Sequence, residues 1–316
     1  MKHSDDSTSF KSRVAITGAT GLIGKRITEI LIGKKMRVVA FVRNKKAARK
    51  VLGDRVRLAR WNFERPGYDE WKEYLGEVGG IIHLAGTPIF KKRWTKSFKK
   101  KILTSRVEST RQLVDAIKAS EHRPRAFVSA SAVGIYGQQH ESAVDENVML
   151  GNDPLAGVCV HWENEAKRIE QQNVRSVQIR TGVVLSPDSG ALKEMLPLFK
   201  LGLGGPLGFP ENFMNWIHIE DIAQIFVGAL FDSTMRGAYN AVAPNPVTME
   251  MFSETLAQIL KKSYFTRHPV WLLRMAIGEA SKHTSSHQKV LANKILKTGY
   301  VFKFTNLNEA LKDLLK

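Results

Sequence analysis

Thr17-Gly-Ala-Thr-Gly-Leu-Ile-Gly24 decides how this chain is read. It follows a short β-rich run, Arg-Val-Ala-Ile-Thr at 13–17, and opens a stretch at 22–32 where Leu22, Ile23, Ile27, Ile30 and Leu31 recur at helical spacing. Between a strand and a helix the three glycines have separate uses. Gly18 allows a tight turn, Gly21 lets a pyrophosphate approach the backbone, and Gly24 lets the helix pack close to the strand. The helix start then offers free N–H groups and a partial positive charge to phosphates. The motif implies a dinucleotide site; a tight turn without a ligand is the plain alternative.

Outward from this turn, β-rich runs alternate with helical patterns. Strands are predicted at 36–42, 56–59, 80–85, 126–130 and 176–185, and helices at 45–52, 96–120 and about 157–172. The order implies an α/β fold, a doubly wound parallel sheet of Rossmann type. Beyond a Gly/Pro loop at 202–210 come strands at 216–219 and 238–242 and helices at 221–231, 249–260, about 270–282, 288–297 and 306–315. We expect a nucleotide domain over 12–185, with 212–243 returning to it, and a small, mainly helical C-terminal lobe from 186–211 and 244–316.

The end of the second strand chooses between coenzymes. A carboxylate there favours NAD(H) by bonding the ribose 2′-hydroxyl. Here the residues are Phe41-Val-Arg43-Asn44, and no acid occurs between Glu29 and Asp54. Arg43 can grip a 2′-phosphate bidentately, with Lys45 and Lys46 adding charge, so NADP(H) is favoured over NAD(H). In the alternative, Arg43 opens a solvated basic helix.

Composition removes several classes. Apolar residues make up 43% and charged residues 25%, which excludes a disordered or fibrous chain. The longest nearly apolar run, at 222–231, falls short of the ~20 residues a membrane helix needs. Residues 1–12 contain no apolar signal core. A single cysteine, Cys159, leaves no disulfide framework, so a cytoplasmic location is expected; no spaced metal-ligand set is present. Lys and Arg number 48 against 30 Asp and Glu, a net +18. Such a charge fits anionic substrates or nucleic acid, or a bland compositional bias.

Further along, His83-Leu-Ala-Gly86, Ser129-Ala-Ser131 and Val133-Gly-Ile-Tyr-Gly137 join the glycine turn in resembling the extended short-chain dehydrogenase/reductases. Arg93-Trp-Thr95, Ser105-Arg106, Trp162-Glu163, the run 180–185, Gly202-Leu-Gly-Gly-Pro-Leu-Gly208 and Trp216-Ile-His-Ile-Glu-Asp221 narrow the resemblance to an atypical "epimerase family" branch. Gly278-Glu279, the run 295–300 and Ala310-Leu311 resemble that branch's C-terminal helical segment. By this resemblance the cofactor loops fall on Gly18, Thr20, Gly21, Leu22, Ile23, Gly24, Arg43, Asn44, Leu84, Ala85, Gly86 and Ser129. Thr181, Gly182 and Val183 would face the nicotinamide, and Ser131 would bond a substrate oxygen. Arg93, Arg106 and Tyr136 are assigned to the substrate pocket.

Members with the usual chemistry carry Tyr-x-x-x-Lys on the helix after the fifth strand; the matching positions here read Cys159-Val-His-Trp162-Glu163. The one literal Tyr-x-x-x-Lys, Tyr68 to Lys72, precedes the fourth strand and is read as coincidence. A carboxylate at Glu163 should raise the pKa of a neighbouring Cys159 thiol and leave it a poor base. Glu163 is then either a base or half of an ion pair, for instance with Arg106. Tyr136, His161, His218 and Asp221 are further acid/base candidates, although the stretch holding His218 and Asp221 also reads as an anchor between lobes.

Eight basic residues between Lys91 and Arg106 interleave with Trp94 and Phe98. We assign the two arginines to the pocket and the lysines to a solvated face. The expectation is an NADP(H)-binding oxidoreductase or epimerase-like enzyme for a small, anionic substrate, without a membrane partner. A non-enzymatic NADP(H) sensor or scaffold is the alternative, and a nucleic-acid binder ranks below both. Oligomeric state stays open, a homodimer included.

Overall fold

The computed structural model describes residues 12–316 apart from 66, 68–69, 90–93, 139–142, 207 and 266–286. Along the first half run β1 (Arg13–Thr17), α1 (Leu22–Gly33), β2 (Arg37–Val42), α2 (Lys45–Leu52), β3 (Arg57–Arg60), β4 (Gly80–His83), α3 (Lys96–Ala119), β5 (Ala126–Ala132), α4 (Pro154–Lys167) and β6 (Arg175–Thr181). There follow β7 (Val183–Leu185), α5 (Ala191–Lys200), β8 (Phe213–Met214), β9 (Trp216–His218), α6 (Ile219–Phe231), β10 (Gly237–Ala241), β11 (Val247–Thr248), α7 (Met249–Leu260), α8 (Asn293–Leu296) and α9 (Leu307–Leu314). Seven strands form one sheet in the order β3-β2-β1-β4-β5-β6-β10, with every neighbouring pair parallel. This is the doubly wound sheet that the sequence predicts, followed by a helical C-terminal region.

Strand side chains alternate between two apolar layers. Val14 and Ile16 join Ile27 and Leu31 of α1 and Ile222 and Phe226 of α6. Ala15 faces the other way, with Phe41, Ile81 and Phe127, against Leu113 and Ile117 of α3. A sheet buried on both faces requires the near-continuous apolar runs seen in β1, β2 and β4. Strand order reverses between β1 and β4, which places a ligand crevice over their carboxyl ends.

The structure departs from expectation in several places. The strand predicted at 176–185 is two strands. It breaks at Gly182, where a Cβ would lie 2.2 Å from the Asn215 carbonyl oxygen, and β7 leaves the main sheet to pair with β9. Helix α5 is absent from the predicted elements, although Leu192, Met195, Leu196 and Phe199, all buried, stand at helical spacing. Helix α4 starts at Pro154, since Asp153 Oδ1 accepts the Leu155 and Ala156 N–H groups and proline suits the first helical turn. The helix predicted at 288–297 shrinks to α8; Val290 instead bridges Val144 and donates its N–H to Asn215 Oδ1 at 2.9 Å. The predicted helix at 270–282, with Gly278 and Glu279, lies outside the described residues.

Asp221, an acid/base candidate in the sequence, is fully buried at the start of α6 and acts as an anchor. Its carboxylate accepts from Tyr300 Oη at 2.9 Å, the Lys303 N–H at 2.7 Å and the Phe304 N–H at 3.0 Å. That pins the approach to α9. Asp221→Ala should strand the buried Phe304 N–H, remove the acceptor of the part-buried Lys303 N–H and lower stability by roughly 1–3 kcal/mol; urea unfolding measures the loss, and a change within experimental error would refute the anchor.

Candidate functional site

The turn after β1 is built by close backbone approach. Gly18 has φ +68°, and a Cβ there would sit 2.9 Å from the Leu84 carbonyl carbon. A Cβ at Gly24 would sit 2.3 Å from the Gly18 oxygen, so only glycine lets α1 press against the turn. Gly21 occupies the N-cap of α1 with no side-chain cap, and the first turn of the helix holds no acid. The N–H groups of that turn are therefore available to an anion. A dinucleotide phosphate fits this cradle of glycines and uncapped amides.

A cavity of about 880 Å³ opens over the turn. Gly18, Thr20, Gly21, Arg43, Asn44, Leu84, Ala85 and Gly86, all among the residues that the resemblance assigns to the cofactor loops, line it. Leu22, Ile23, Gly24, Ser129, Thr181, Gly182 and Val183 are not part of its wall. Arg43 is exposed, and no carboxylate of the described residues pairs with it. Asn44 caps α2 by accepting the Ala47 N–H at 2.9 Å. Lys45 is held by Glu70, 2.5 Å away. Trp61 and Phe63 after β3, and Lys101 on α3, also line the cavity. The sequence reading missed the two aromatics, and Lys101, exposed like the solvated lysines it was grouped with, also borders the cavity. Its position on the exposed flank of α3 gave no sign that this flank closes a wall.

Beneath the cavity, Thr17 and His83 tie the β1 and β4 turns together. Thr17 Oγ1 accepts the Leu84 N–H at 3.1 Å and the Ala85 N–H at 3.2 Å, so its own proton goes to His83 Nδ1 at 2.7 Å. His83 Nε2 then carries the ring proton and donates to Thr110 Oγ1 at 3.0 Å, which donates in turn to the Arg106 carbonyl. Burial pushes the His83 pKa down to about 3. The ring is neutral.

On β5 and its neighbours lies a polar row. Ser131 pairs in register with Arg180 of β6, and Arg180 with Asn240 of β10. Glu163 reaches down from α4. Its Oε1 accepts from Ser131 Oγ at 2.7 Å and Arg180 Nε at 2.8 Å, and its Oε2 from Arg180 Nη2 at 3.0 Å. Arg180 Nη1 donates to Tyr136 Oη at 3.0 Å, and Tyr136 donates to Asn240 Oδ1. Burial opposes the Arg180 charge, but the Glu163 bonds outweigh it and raise its pKa.

These contacts correct three expectations. Glu163 is 2% exposed and stands behind Ser131, paired with Arg180 rather than Arg106, so it does not face a substrate directly. Tyr136 is fully buried with its hydroxyl bonded on both sides, its pKa pushed up to about 12 by burial; it belongs to the core, not to a pocket wall. His218 is buried and neutral, its pKa lowered to about 4 by burial, with Nδ1 capping α6 through the Glu220 N–H. His161 is exposed on α4. Arg180 and Asn240 were missed as site residues, although a charge at a period-2 position inside a buried strand was a readable signal. Arg93 and Tyr68 lie outside the described residues.

Cys159 is buried, and its thiol is pushed up to about 12 by burial first and by Glu163 in addition. The direction matches the sequence argument, but desolvation is the larger cause. Arg106 lies below Gly86, where a Cβ would meet its Cζ at 3.2 Å, and stacks on Trp162 with Cζ 5.1 Å from the ring centre. Its Nη1 donates to the Thr87 and Ile102 carbonyls at 3.0 and 3.2 Å; no carboxylate of the described residues neutralises it, and burial lowers its pKa. Among the described residues no cluster of His, Cys, Asp and Glu could hold a metal, and no helix is long and apolar enough to cross a membrane.

With this geometry in hand, similar proteins can be placed beside it. The NAD dependent epimerase/dehydratase family matches residues 14–241, and a domain of unknown function, DUF1731, matches 268–314. The chain is 34% identical to the epimerase family protein SDR39U1 of Mus musculus, over 96% of this chain and 99% of that one. It is 32% identical to the epimerase family protein YfhF of Bacillus subtilis, over 96% and 97%. Human epimerase family protein SDR39U1, crystallised with NADPH, superposes with a TM-score of 0.83 at 31% identity, covering 96% of this chain and 98% of that one. A UDP-glucuronic acid 4-epimerase from Bacillus cereus shares the fold, with a TM-score of 0.77 at 18% identity over 96% and 97%.

His83 sets a pH dependence. A histidine kept neutral in the fold binds a proton on unfolding, so stability falls as pH drops below about 6.5 and continues to fall towards about 3. From pH 7 to pH 5 this group alone should cost about 2 kcal/mol. Urea titrations of wild type and His83→Gln should show that increment only in wild type; equal slopes against pH would remove His83 as its source.

Proposed function

The chain belongs to the NAD dependent epimerase/dehydratase family, and on that premise we propose that it binds NADP(H) along the turn cavity and acts as an oxidoreductase or epimerase-like enzyme on a small, anionic substrate. The observation that carries the reading is the glycine cradle at Gly18–Gly24 opening onto a cavity in whose wall Arg43, and not an acidic residue, follows β2. The amides of the first turn of α1 would hold the pyrophosphate, and the Arg43 guanidinium the adenosine 2′-phosphate. The NADPH of human SDR39U1 supports the preference. Bound there, the coenzyme supplies or removes a hydride.

The remaining work falls to the chain's own side chains. Arg106, half-buried without a carboxylate partner among the described residues, would neutralise an acidic group of the substrate. Ser131 would orient the substrate oxygen. Glu163 acts through Ser131: as a proton leaves the substrate oxygen for Ser131 Oγ, the serine's own proton moves to Glu163 Oε1. Thr181 to Val183, at the break between β6 and β7, would border the reacting carbon.

One observation favours a second reading, an NADP(H)-binding sensor. At the position where the resemblance puts a tyrosine stands a buried thiol whose pKa is raised to about 12, which is no proton donor for neutral pH. Screening carbonyl compounds and nucleotide sugars while following NADPH absorbance separates the readings; robust turnover removes the sensor.

Titration of the protein with NADPH and NADH tests the coenzyme reading. NADPH should bind more tightly, and Arg43→Ala should weaken NADPH roughly 10- to 100-fold while leaving NADH nearly unchanged. Equal, millimolar binding of both coenzymes to wild type would defeat the proposal. Ser131→Ala should abolish most turnover of any substrate found, and an unchanged rate there and in Glu163→Gln would defeat the assignment of the two residues.

A further inference from the structure

The turn cavity has two flanks. On one stands α2, with Arg43 just ahead of it; on the other stands α3, which gives Ser97, Phe98, Lys101 and Ser105 to the wall. These four recur at helical spacing and share one face of α3. Gln112 lies on the same face about three turns further on, where its Oε1 accepts from Trp61 Nε1 at 2.6 Å. The Trp61 N–H in turn donates to the Val42 carbonyl at 2.9 Å, one residue before Arg43. Arg111, on another face of α3, pairs with Glu165 of α4. The face that carries Lys101 therefore looks over the ends of β3 and β2, towards the strand end that carries Arg43. Among the described residues, the charged members of the wall are Arg43, Lys101 and Glu64. Lys101 is exposed, and no acid of the described residues pairs with it. Its neighbours Lys99 and Lys100 are not part of the wall.

We propose that Lys101 is a second determinant of coenzyme choice, its ammonium meeting the adenosine 2′-phosphate from the α3 side while Arg43 meets it from the end of β2. The inference rests on the reading of this cavity as the coenzyme site. A phosphate monoester carries a charge of about −1.5 to −2 at neutral pH, so one guanidinium leaves much of it unneutralised. Arg43 supplies a planar fork and Lys101 a compact charge on a flexible stem, so the two can hold one phosphate without sharing a geometry. Lys101 also offsets Glu64, whose carboxylate would otherwise repel an anion at this wall. A coenzyme without the 2′-phosphate gives Lys101 no such partner.

The test is calorimetric titration of the full chain with NADPH, NADH, 2′,5′-ADP and 5′-AMP. Lys101 is exposed on a 24-residue helix, so its replacement leaves the core untouched. Lys101→Ala should weaken NADPH and 2′,5′-ADP roughly three- to tenfold, and Lys101→Glu about tenfold or more, with NADH and 5′-AMP shifted by about twofold or less. Lys101→Arg should bind NADPH as wild type does. Lys100→Glu makes the same change of charge away from the wall and should keep the wild-type ratio of NADPH to NADH affinity. An unchanged ratio in Lys101→Glu overturns the proposal. So does an equal loss for both coenzymes, which would put the ammonium at the pyrophosphate, and so does an equal effect of Lys100→Glu, which would reduce the role to net charge. A wild type that prefers NADPH, loses that preference in Arg43→Ala and keeps it in Lys101→Glu removes this inference alone. A wild type that binds both coenzymes alike removes the coenzyme reading, and this inference with it.

Discussion

Everything at this cleft depends on how closely two backbone turns approach. The turn after β1 comes so near the strand-four turn that Gly18 has no room for a methyl group against Leu84, and Gly24 has none against the Gly18 carbonyl. Van der Waals exclusion alone would make such contact merely tolerable. Thr17 makes it favourable, because one hydroxyl accepts two amides of the β4 turn and donates to a histidine buried between β4 and α3. The floor of the cavity is therefore a hydrogen-bonded unit rather than two independent loops. A phosphate-binding turn works only if its amides are already aimed, and this arrangement aims them before any ligand arrives.

The polar row across β5, β6 and β10 is a second fixed unit with a different character. Burying a carboxylate and a guanidinium is costly, and such a pair is weak evidence for stability. Its value here is directional. Each member of the row has one bonding arrangement that satisfies its neighbours, so Ser131, itself only 4% exposed, inherits a defined orientation from Arg180 two contacts away. The helix that carries Glu163 also carries Cys159, and burial keeps that thiol protonated. A lone buried cysteine behaves as a small apolar residue.

The net charge of +18 resolves into several local situations. Some of it is neutralised in surface networks, such as Arg111 and Arg168 around Glu165; these are screened and individually worth little. Some is structural, as with Arg175, whose buried guanidinium donates to three carbonyls around the end of α6. Arg43, Arg106 and Lys101 lie close to the cavity or on its wall, without acidic partners among the described residues. A basic surface raises the local concentration of anionic ligands, which suits a phosphorylated coenzyme and an acidic substrate alike.

The sequence by itself determined the parallel sheet, the phosphate turn and the basic end of strand two, because each is written in contiguous residues: apolar runs of strand length, glycines at fixed offsets, an arginine where an acid would stand. It also located Ser131, Glu163 and Arg106. Their partners were decided only by tertiary structure. The sequence suggested Arg106 as a partner for Glu163, and strand register chose Arg180 instead by setting it beside Ser131. Tyr136 was assigned to a pocket through the resemblance, yet Asn240, 104 residues away, draws its hydroxyl into the core. The break at Gly182 and the helix at Ala191–Lys200 were hidden for the same reason. A steric demand from Asn215 and an apolar surface made by α7 are properties of packed neighbours, and neither is recorded in the local pattern of the residues that respond to them.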